Sequence, residues 1–386
     1  MRILFYAHSS TLYGANRSLM ELILGMKEYD PEINIILILP EKGIIEPELN
    51  KKNIPYKVVH HFNWFYNKAF GDKWKKKSPV LFKLWRWRNK WMKLFYNRWA
   101  VRKHLKYAKQ FSPDFIYVNS SLNPMGLIVA KKLNAKCIWH HRETLNDDVY
   151  GFYTENITKF LKYYNSADLH FFPSQFLKRN YFGQFGQVNS KVVYNSILLD
   201  AENFSKRKLH KPLCFGIVGR INDQKNQKEI IRLFKTPEVE RLSVELHIIG
   251  HGDEQFQEWL RKQKIPNVIF HNFLDRREIY EKLDFLISNA RYEAFGRTVA
   301  EANCAGIPVI VRSSGALPEL VQEGYNGYIY KDLSELKSII NKLNVLEDEE
   351  YQELSEKSIL YANKKYNYLS IAGKVYGELK FLNPTV

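Results

Sequence analysis

The chain has 386 residues, 45% of them apolar and 26% charged, enough for two domains with full cores and unlike a disordered or fibrous chain. Its net charge of +17 is concentrated: residues 61–110 hold fifteen Lys or Arg against one acid, Asp72, so +14 lies there and the remainder is close to neutral. Cys137, Cys214 and Cys304 are scattered in apolar surroundings without metal-ligand spacing; they read as small buried hydrophobes, and so sparse a set argues against a disulfide framework. The N-terminal run lacks a signal-peptide layout, and no apolar stretch approaches the roughly 18 residues that span a bilayer. The expected place is the cytoplasm, peripheral on the inner face of the cell membrane.

Residues 3–6 read as a buried strand, followed by a loop with Gly14 and a helix over 17–27 whose apolar positions are Leu19, Leu22, Ile23 and Met26. Further strand-like runs lie at 33–39, 56–59, 115–119, 136–139, 169–172 and 191–194. After a polar stretch at 203–211, a second series follows at 214–218, 245–249, 268–270, 285–287 and 308–311. Strands alternating with helical segments predict two mostly parallel α/β sheets joined near residue 205. A single Gly14 is not a dinucleotide fingerprint, so no Rossmann cofactor is read from it.

Residues 61–110 interrupt the first series and carry six of the eight tryptophans, Trp64, Trp74, Trp85, Trp87, Trp91 and Trp99. From Pro79 onward, Leu84, Trp87, Trp91, Leu94, Val101 and Leu105 follow a helical spacing beside a row of Lys83, Arg86, Lys90 and Lys93. A basic amphipathic helix bordered by tryptophan is the pattern of an interfacial helix on an anionic membrane. A stacking groove for single-stranded nucleic acid has a similar composition, but no nucleic-acid motif accompanies it, so no nucleic acid is expected. A helix docked on its own domain with a solvated basic face is the remaining reading.

The chemistry concentrates in residues 288–311. A strand ends at Ser288; a loop holds Glu293, Phe295 and Gly296; a helix-like segment with Arg297, Thr298 and Glu301 follows. Free N–H groups around Gly296, Arg297 and Thr298 suit an anion such as a diphosphate. Glu293 and Glu301 are placed to accept hydrogen bonds from sugar hydroxyls. Upstream, Gly219-Arg220 closes a strand and Lys225-Asn226 follows five residues on, two cations suited to the charge left when a diphosphate departs.

Glu293-Ala294-Phe295-Gly296 with Glu301, and Arg220 with Lys225, resemble the donor signatures of retaining, nucleotide-sugar-dependent glycosyltransferases of the GT-B fold, family 4 (group 1 glycosyltransferases of bacterial polysaccharide type). The resemblance implies an α/β GT-B fold, two facing Rossmann-like domains with a cleft between them. They would span 1–205, on the acceptor side, and 206–365, on the donor side, with a C-terminal helix at 366–386 returning to the first. It implies that Glu293 contacts the donor sugar and Glu301 the nucleotide ribose, and that Gly14, Gly250 and Gly315 approach the donor. His140, in the run Trp139-His140-His141-Arg142-Glu143, would position the sugar, with Arg142 and Glu143 toward the acceptor. No D-x-D sequence occurs and Asp147-Asp148 lacks that spacing, so cationic side chains rather than a metal are expected to stabilise the leaving group, and no cofactor is expected. The expected partners are a nucleotide-diphosphate sugar, a lipid-linked or glycan acceptor and an anionic membrane surface. A GT-B nucleotide-sugar epimerase and a non-catalytic membrane-associated subunit of a glycosylation complex are the alternatives.

Overall fold

The computed structural model describes residues 1–67, 75–145, 150–152, 157–198, 207–252, 254–263, 265–271 and 274–385. Trp74 and Asp147-Asp148 lie outside them, as does the junction expected at 205–206. The chain divides into two units, Met1–Ser196 with Tyr368–Val386, and Ile197–Asn367.

The first unit has nine described strands: β1 (Arg2–Tyr6), β2 (Asn34–Leu39), β3 (Tyr56–Val58), β4 (Phe65–Asn67), β5 (Phe115–Asn119), β6 (Lys136–His140), β7 (Tyr150–Phe152), β8 (Leu169–Phe172) and β9 (Ser190–Val192). Seven form a parallel sheet in the order β3-β2-β1-β5-β6-β8-β9, while β4 and β7 pair antiparallel apart from it. Every residue of β5 is buried, as expected for a parallel strand covered on both faces. The order reverses between β1 and β5, where crossovers depart to opposite sides and open a crevice beyond the strand ends.

Helices cover this sheet: α1 (Gly14–Tyr29), α2 (Glu46–Lys51), α3 (Pro79–Phe111), α4 (Met125–Leu133), α5 (Ile157–Tyr164) and α6 (Gln175–Phe185). The predicted helix at 17–27 is the body of α1, and its Leu19, Leu22, Ile23 and Met26 enter the core with β1 and β2.

The second unit has six parallel strands: β10 (Leu213–Val218), β11 (Val244–Ile249), β12 (Val268–His271), β13 (Phe285–Ser288), β14 (Val309–Arg312) and β15 (Gly327–Tyr330), in the order β12-β11-β10-β13-β14-β15. β15, absent from the sequence reading, pairs with β14; its glycine start and half-buried middle residues weaken an apolar signal. The helices are α7 (Gln227–Phe234), α8 (Pro237–Glu240), α9 (Glu254–Gln263), α10 (Arg276–Glu281), α11 (Arg297–Cys304), α12 (Leu333–Leu343) and α13 (Asp348–Tyr366).

The final helix, α14 (Tyr368–Leu382), belongs to the first unit. Its Ile371, Ala372, Val375 and Leu379 join the core around α1, and Tyr368 and Tyr376 donate hydroxyl hydrogen bonds to Glu28 (2.6 Å) and Asp30 (2.9 Å).

α3 departs from its predicted amphipathic pattern. Its 33 residues begin behind a Ser78 N-cap and Pro79, and the second half docks through Ala100, Val101, His104 and Ala108. Asn97 holds the middle, accepting from and donating to the Phe62 backbone at 2.8 Å each. The first half and middle instead expose Leu84, Trp87, Trp91, Phe95 and Trp99. The predicted row advances every 3.5 residues, so on a 3.6-residue helix it drifts by about 60° between Leu84 and Leu105. Its start is solvent-facing and its later member Val101 is buried.

A β-carbon at Gly25 would meet Tyr368 O at 2.8 Å and Ala372 Cβ at 2.9 Å, whereas at Gly183 on α6 it meets nothing within 4 Å. Gly25→Leu is expected to destabilise the chain by about 1–3 kcal/mol through overpacking. Gly183→Ala should be neutral or stabilise by up to about 1 kcal/mol. Urea unfolding of the two variants checks both.

Candidate functional site

In the second unit the sheet order reverses between β10 and β13, so the loops leaving their C-terminal ends are brought side by side. The loop after β10 runs from Gly219 to Asn226, and Lys225 N–H donates to Asn222 O (3.2 Å) and Oδ1 (3.0 Å). The loop after β13 crosses it: Arg291 N–H donates to Gln224 O (3.1 Å), and the buried Asn289 donates to Asn226 O (3.0 Å). Asn289 also accepts from Tyr330 (2.8 Å) and Arg312 (3.2 Å), while Glu229 accepts from Arg312 at 2.7 Å. These contacts fix two loops 60 residues apart in sequence.

The result is a direct ion pair, Lys225 Nζ to Glu293 Oε2 at 2.5 Å, with both side chains partly accessible. Arg220 is exposed where β10 ends, and its carbonyl accepts from Gln227 (3.0 Å), which shapes the loop around it. Gly250 follows β11 and backs onto Gly219.

A third loop completes the floor. Ala316 N–H donates to Glu293 O (2.9 Å) and Ser314 Oγ to Ala290 O (2.6 Å). Gly315 sits between them at φ +60, where a β-carbon would lie 2.7 Å from Glu293 N; only glycine permits this approach. Gly296, left-handed at φ +100, turns the chain into α11, so the N–H groups of Arg297 and Thr298 are in its unsatisfied first turn beside Glu293. Phe295 is buried with its ring edge-on to Tyr366 at 5.9 Å, a packing position.

Glu301 is placed differently from Glu293. It is buried; Oε1 accepts from Arg276 (2.7 Å) and Arg297 (2.8 Å), and Oε2 from Tyr280 (3.0 Å). Three donors thus converge on one buried carboxylate. Burial, and then the Glu301 charge, push the Tyr280 hydroxyl well above its ordinary range, keeping it a donor. Arg276 and Tyr280 escaped the sequence reading. The only local signal was the Asp275…Glu278 capping box that starts α10.

In the first unit, His140 ends β6, nearly fully buried, with Nδ1 2.6 Å from the Tyr117 hydroxyl. Its Nε2 has no partner among the described residues. Burial first, then Arg142 and His141, hold its imidazole well below the usual range, so it is neutral. Arg142 donates through Nε to Asn119 (2.8 Å) and through its terminal nitrogen to Asn195. Glu143 accepts from Ser121 N–H at 3.0 Å. His8, just beyond β1, feels both the Glu143 and the Arg142 charges, so these groups gather at the C-terminal ends of β1, β5 and β6. Gly14 starts α1 behind a loop knitted by Asn16 Nδ2 to Ser9 and Thr11.

Removing the Glu301 side chain leaves two guanidiniums and a phenol without their shared acceptor. Glu301→Ala is expected to cost about 3–5 kcal/mol, seen as a lowered thermal midpoint, and Glu323→Ala, at a surface loop, should cost well under 1 kcal/mol.

Comparison with known proteins follows this geometry. Residues 200–365 match the family model "Glycosyl transferases group 1". A glycosyltransferase of unassigned specificity from Methanocaldococcus jannaschii is 32% identical over 158 residues, covering 36% of this chain and 40% of that protein. The capsular polysaccharide biosynthesis glycosyltransferase CapM of Staphylococcus aureus is 27% identical over 175 residues, 43% of this chain and 45% of its own length. The chain thus spans less than half the length of these curated relatives. Across nearly the whole chain, the Anabaena protein HepE, solved with UDP and glucose, superposes with a TM-score of 0.74 at 19% identity, covering 99% of this chain and 100% of that one. The fold is GT-B, with two Rossmann-like α/β domains.

Proposed function

With residues 200–365 a group 1 glycosyl transferase domain, we propose that the chain moves a sugar, with retention, from a nucleotide-diphosphate donor to a lipid-linked glycan or polysaccharide precursor at the cytosolic membrane surface. The observation that carries this reading is the Lys225–Glu293 pair at the switch point of the second sheet. The HepE complex with UDP and glucose and the capsular role in the name of CapM support the donor and acceptor classes.

In this reading the diphosphate lies against the first turn of α11, and Lys225 and Arg220 face the charge that develops as it departs. An arginine fork takes two phosphate oxygens, and a lysine supplies a compact charge. Without ligand, Glu293 holds Lys225 in place; with donor, Lys225 turns to phosphate and Glu293 accepts from sugar hydroxyls. Glu301 accepts from a ribose hydroxyl of the donor. The bond from the anomeric carbon to the diphosphate breaks, the acceptor oxygen bonds on the same face, and the acceptor proton passes to the departing phosphate. Fixed cations carry the leaving-group charge, so no metal is required. In the first domain, His140 positions sugar, and Arg142 and Glu143 serve the acceptor.

The membrane part rests on α3. No helix among the described residues is long and apolar enough to cross a membrane. The first half and middle of α3 nevertheless present Leu84, Trp87, Trp91, Phe95 and Trp99 to solvent, with Trp87 65% and Phe95 62% exposed. Lys83, Arg86, Arg88, Lys90 and Arg98 are exposed around them. Each basic residue near an anionic leaflet contributes about 1 kcal/mol, and indole rings favour the headgroup layer. Charge and apolar surface therefore select an anionic bilayer over a neutral one.

Transfer from a UDP-sugar to glycan acceptor should fall about 100-fold in Lys225→Ala and in Glu293→Ala. Undiminished rates in folded variants would reject the site. In vesicle sedimentation, the chain should bind phosphatidylglycerol-containing vesicles at least tenfold more tightly than phosphatidylcholine alone, and Trp87→Glu with Trp91→Glu should abolish the difference.

A further inference from the structure

The donor loops occupy one end of the second sheet; a separate cluster of metal-ligating side chains occupies the other. Cys214 and Glu245 are paired in register near the starts of β10 and β11, so they share a face. His247 lies two residues further along that face, and His271 of β12 joins it, because His247 pairs with Ile269. Asp284 immediately precedes β13, whose Phe285 and Leu286 pair with Phe215 and Gly216, and so sits beside Cys214. His210 reaches the same place from the segment leading into β10.

The donor atoms of Cys214, Glu245 and His247 lie within 4.8 Å of one another, as do those of His210, Cys214 and Asp284. His247 Nε2 is 3.3 Å from Glu245 Oε2, and its Nδ1 is 3.2 Å from His271 Nε2. His210 Nδ1 is 2.8 Å from Asp284 Oδ1. Asp284 already accepts from the backbone N–H groups of His210 and Cys214, which makes it a partner that orients His210 rather than a ligand.

We propose that this cluster is a structural Zn²⁺ site, with Cys214, Glu245 and His247 as ligands and His210 as the fourth. One thiolate, two imidazoles and one carboxylate are a borderline-soft donor set that suits Zn²⁺, whereas Ca²⁺ and Mg²⁺ take oxygen ligands. Bond lengths of about 2.0–2.3 Å in a tetrahedron place ligand atoms roughly 3.5 Å apart, so small side-chain rotations close the present spacing. The thiolate and the Glu245 carboxylate neutralise the ion. Asp284 on His210 and His271 on His247 are the outer hydrogen-bond partners that metal-bound histidines use. The Cys214 thiol releases its proton to solvent when the Zn–S bond forms. Lys282, whose charge reaches His247 and His271, and Arg207, whose charge reaches His210, oppose the ion without blocking it. The bound ion ties the chain segment before β10 to β11, at the strand ends remote from Lys225 and Glu293.

The test is titration of chelator-treated full chain with Zn²⁺ by calorimetry, alongside Co²⁺ absorption and thermal midpoints. The expected result is one ion per chain, a raised midpoint, and a thiolate-to-Co²⁺ charge-transfer band. Cys214→Ser, His247→Ala and Glu245→Gln should each weaken binding at least tenfold, and Cys214→Ser should lose the band. Cys137→Ser should bind as the parent does. Glu245→Gln preserves side-chain shape, so the test survives poor folding of another variant. Absence of saturable binding by the parent, or equal affinity in folded Cys214→Ser and Glu245→Gln, would overturn the proposal. Glycosyl transfer by these variants, measured with Zn²⁺ removed, should match the parent.

Discussion

The second domain depends on a geometric constraint: in a parallel sheet whose strand order reverses, two neighbouring strands send their loops to opposite sides. Where β10 and β13 part, the Asn289 side chain bridges the two loops by donating to the Asn226 carbonyl. A buried amide that bonds a carbonyl, a carboxylate, a phenol and a guanidinium is costly to disturb, because each loose end would be an unpaired polar group. Lys225 and Glu293 are held at 2.5 Å by that scaffold, with little freedom of their own to lose on binding.

The two glutamates of the motif show how environment separates roles. Glu293 is partly accessible and paired with one lysine, Lys225. Glu301 is buried under two arginines and a tyrosine. Desolvating Glu301 is offset only while both cations stay close, so Arg276 and Arg297 are part of the fold as much as of the site. This buried cluster keeps the start of α11 in one position.

α3 illustrates the opposite economy. A helix of 33 residues is about 50 Å long. Only its second half finds a partner surface, and there the side chains are small or polar: Asn97, Ala100, His104 and Ala108. The large apolar side chains lie on the face that the domain does not cover. In water this exposure is unfavourable, and it follows from the composition, because bulky Trp and Phe cannot enter the shallow contact that alanine and asparagine make.

Much was legible in the residues alone. Strand-like runs of three to seven residues separated by helical segments marked all the strands of the two parallel sheets but β15, most clearly where burial on both faces leaves a continuous apolar signal. A resemblance to donor-site motifs singled out Arg220, Lys225, Glu293 and Gly296, and the fold brings Lys225 and Glu293 into contact. Other features could not be read from order. Arg276, Tyr280, Asn289 and Arg312 act on partners 21 to 63 residues away, and only tertiary packing decides such meetings. The same holds for Cys214, Glu245, His247, His271 and Asp284, whose spacing matches no ligand motif until parallel pairing places them on one face. Local chemistry is written along the chain, but which distant groups share a surface is set by the sheet, because a strand's neighbours are chosen by packing and not by sequence distance.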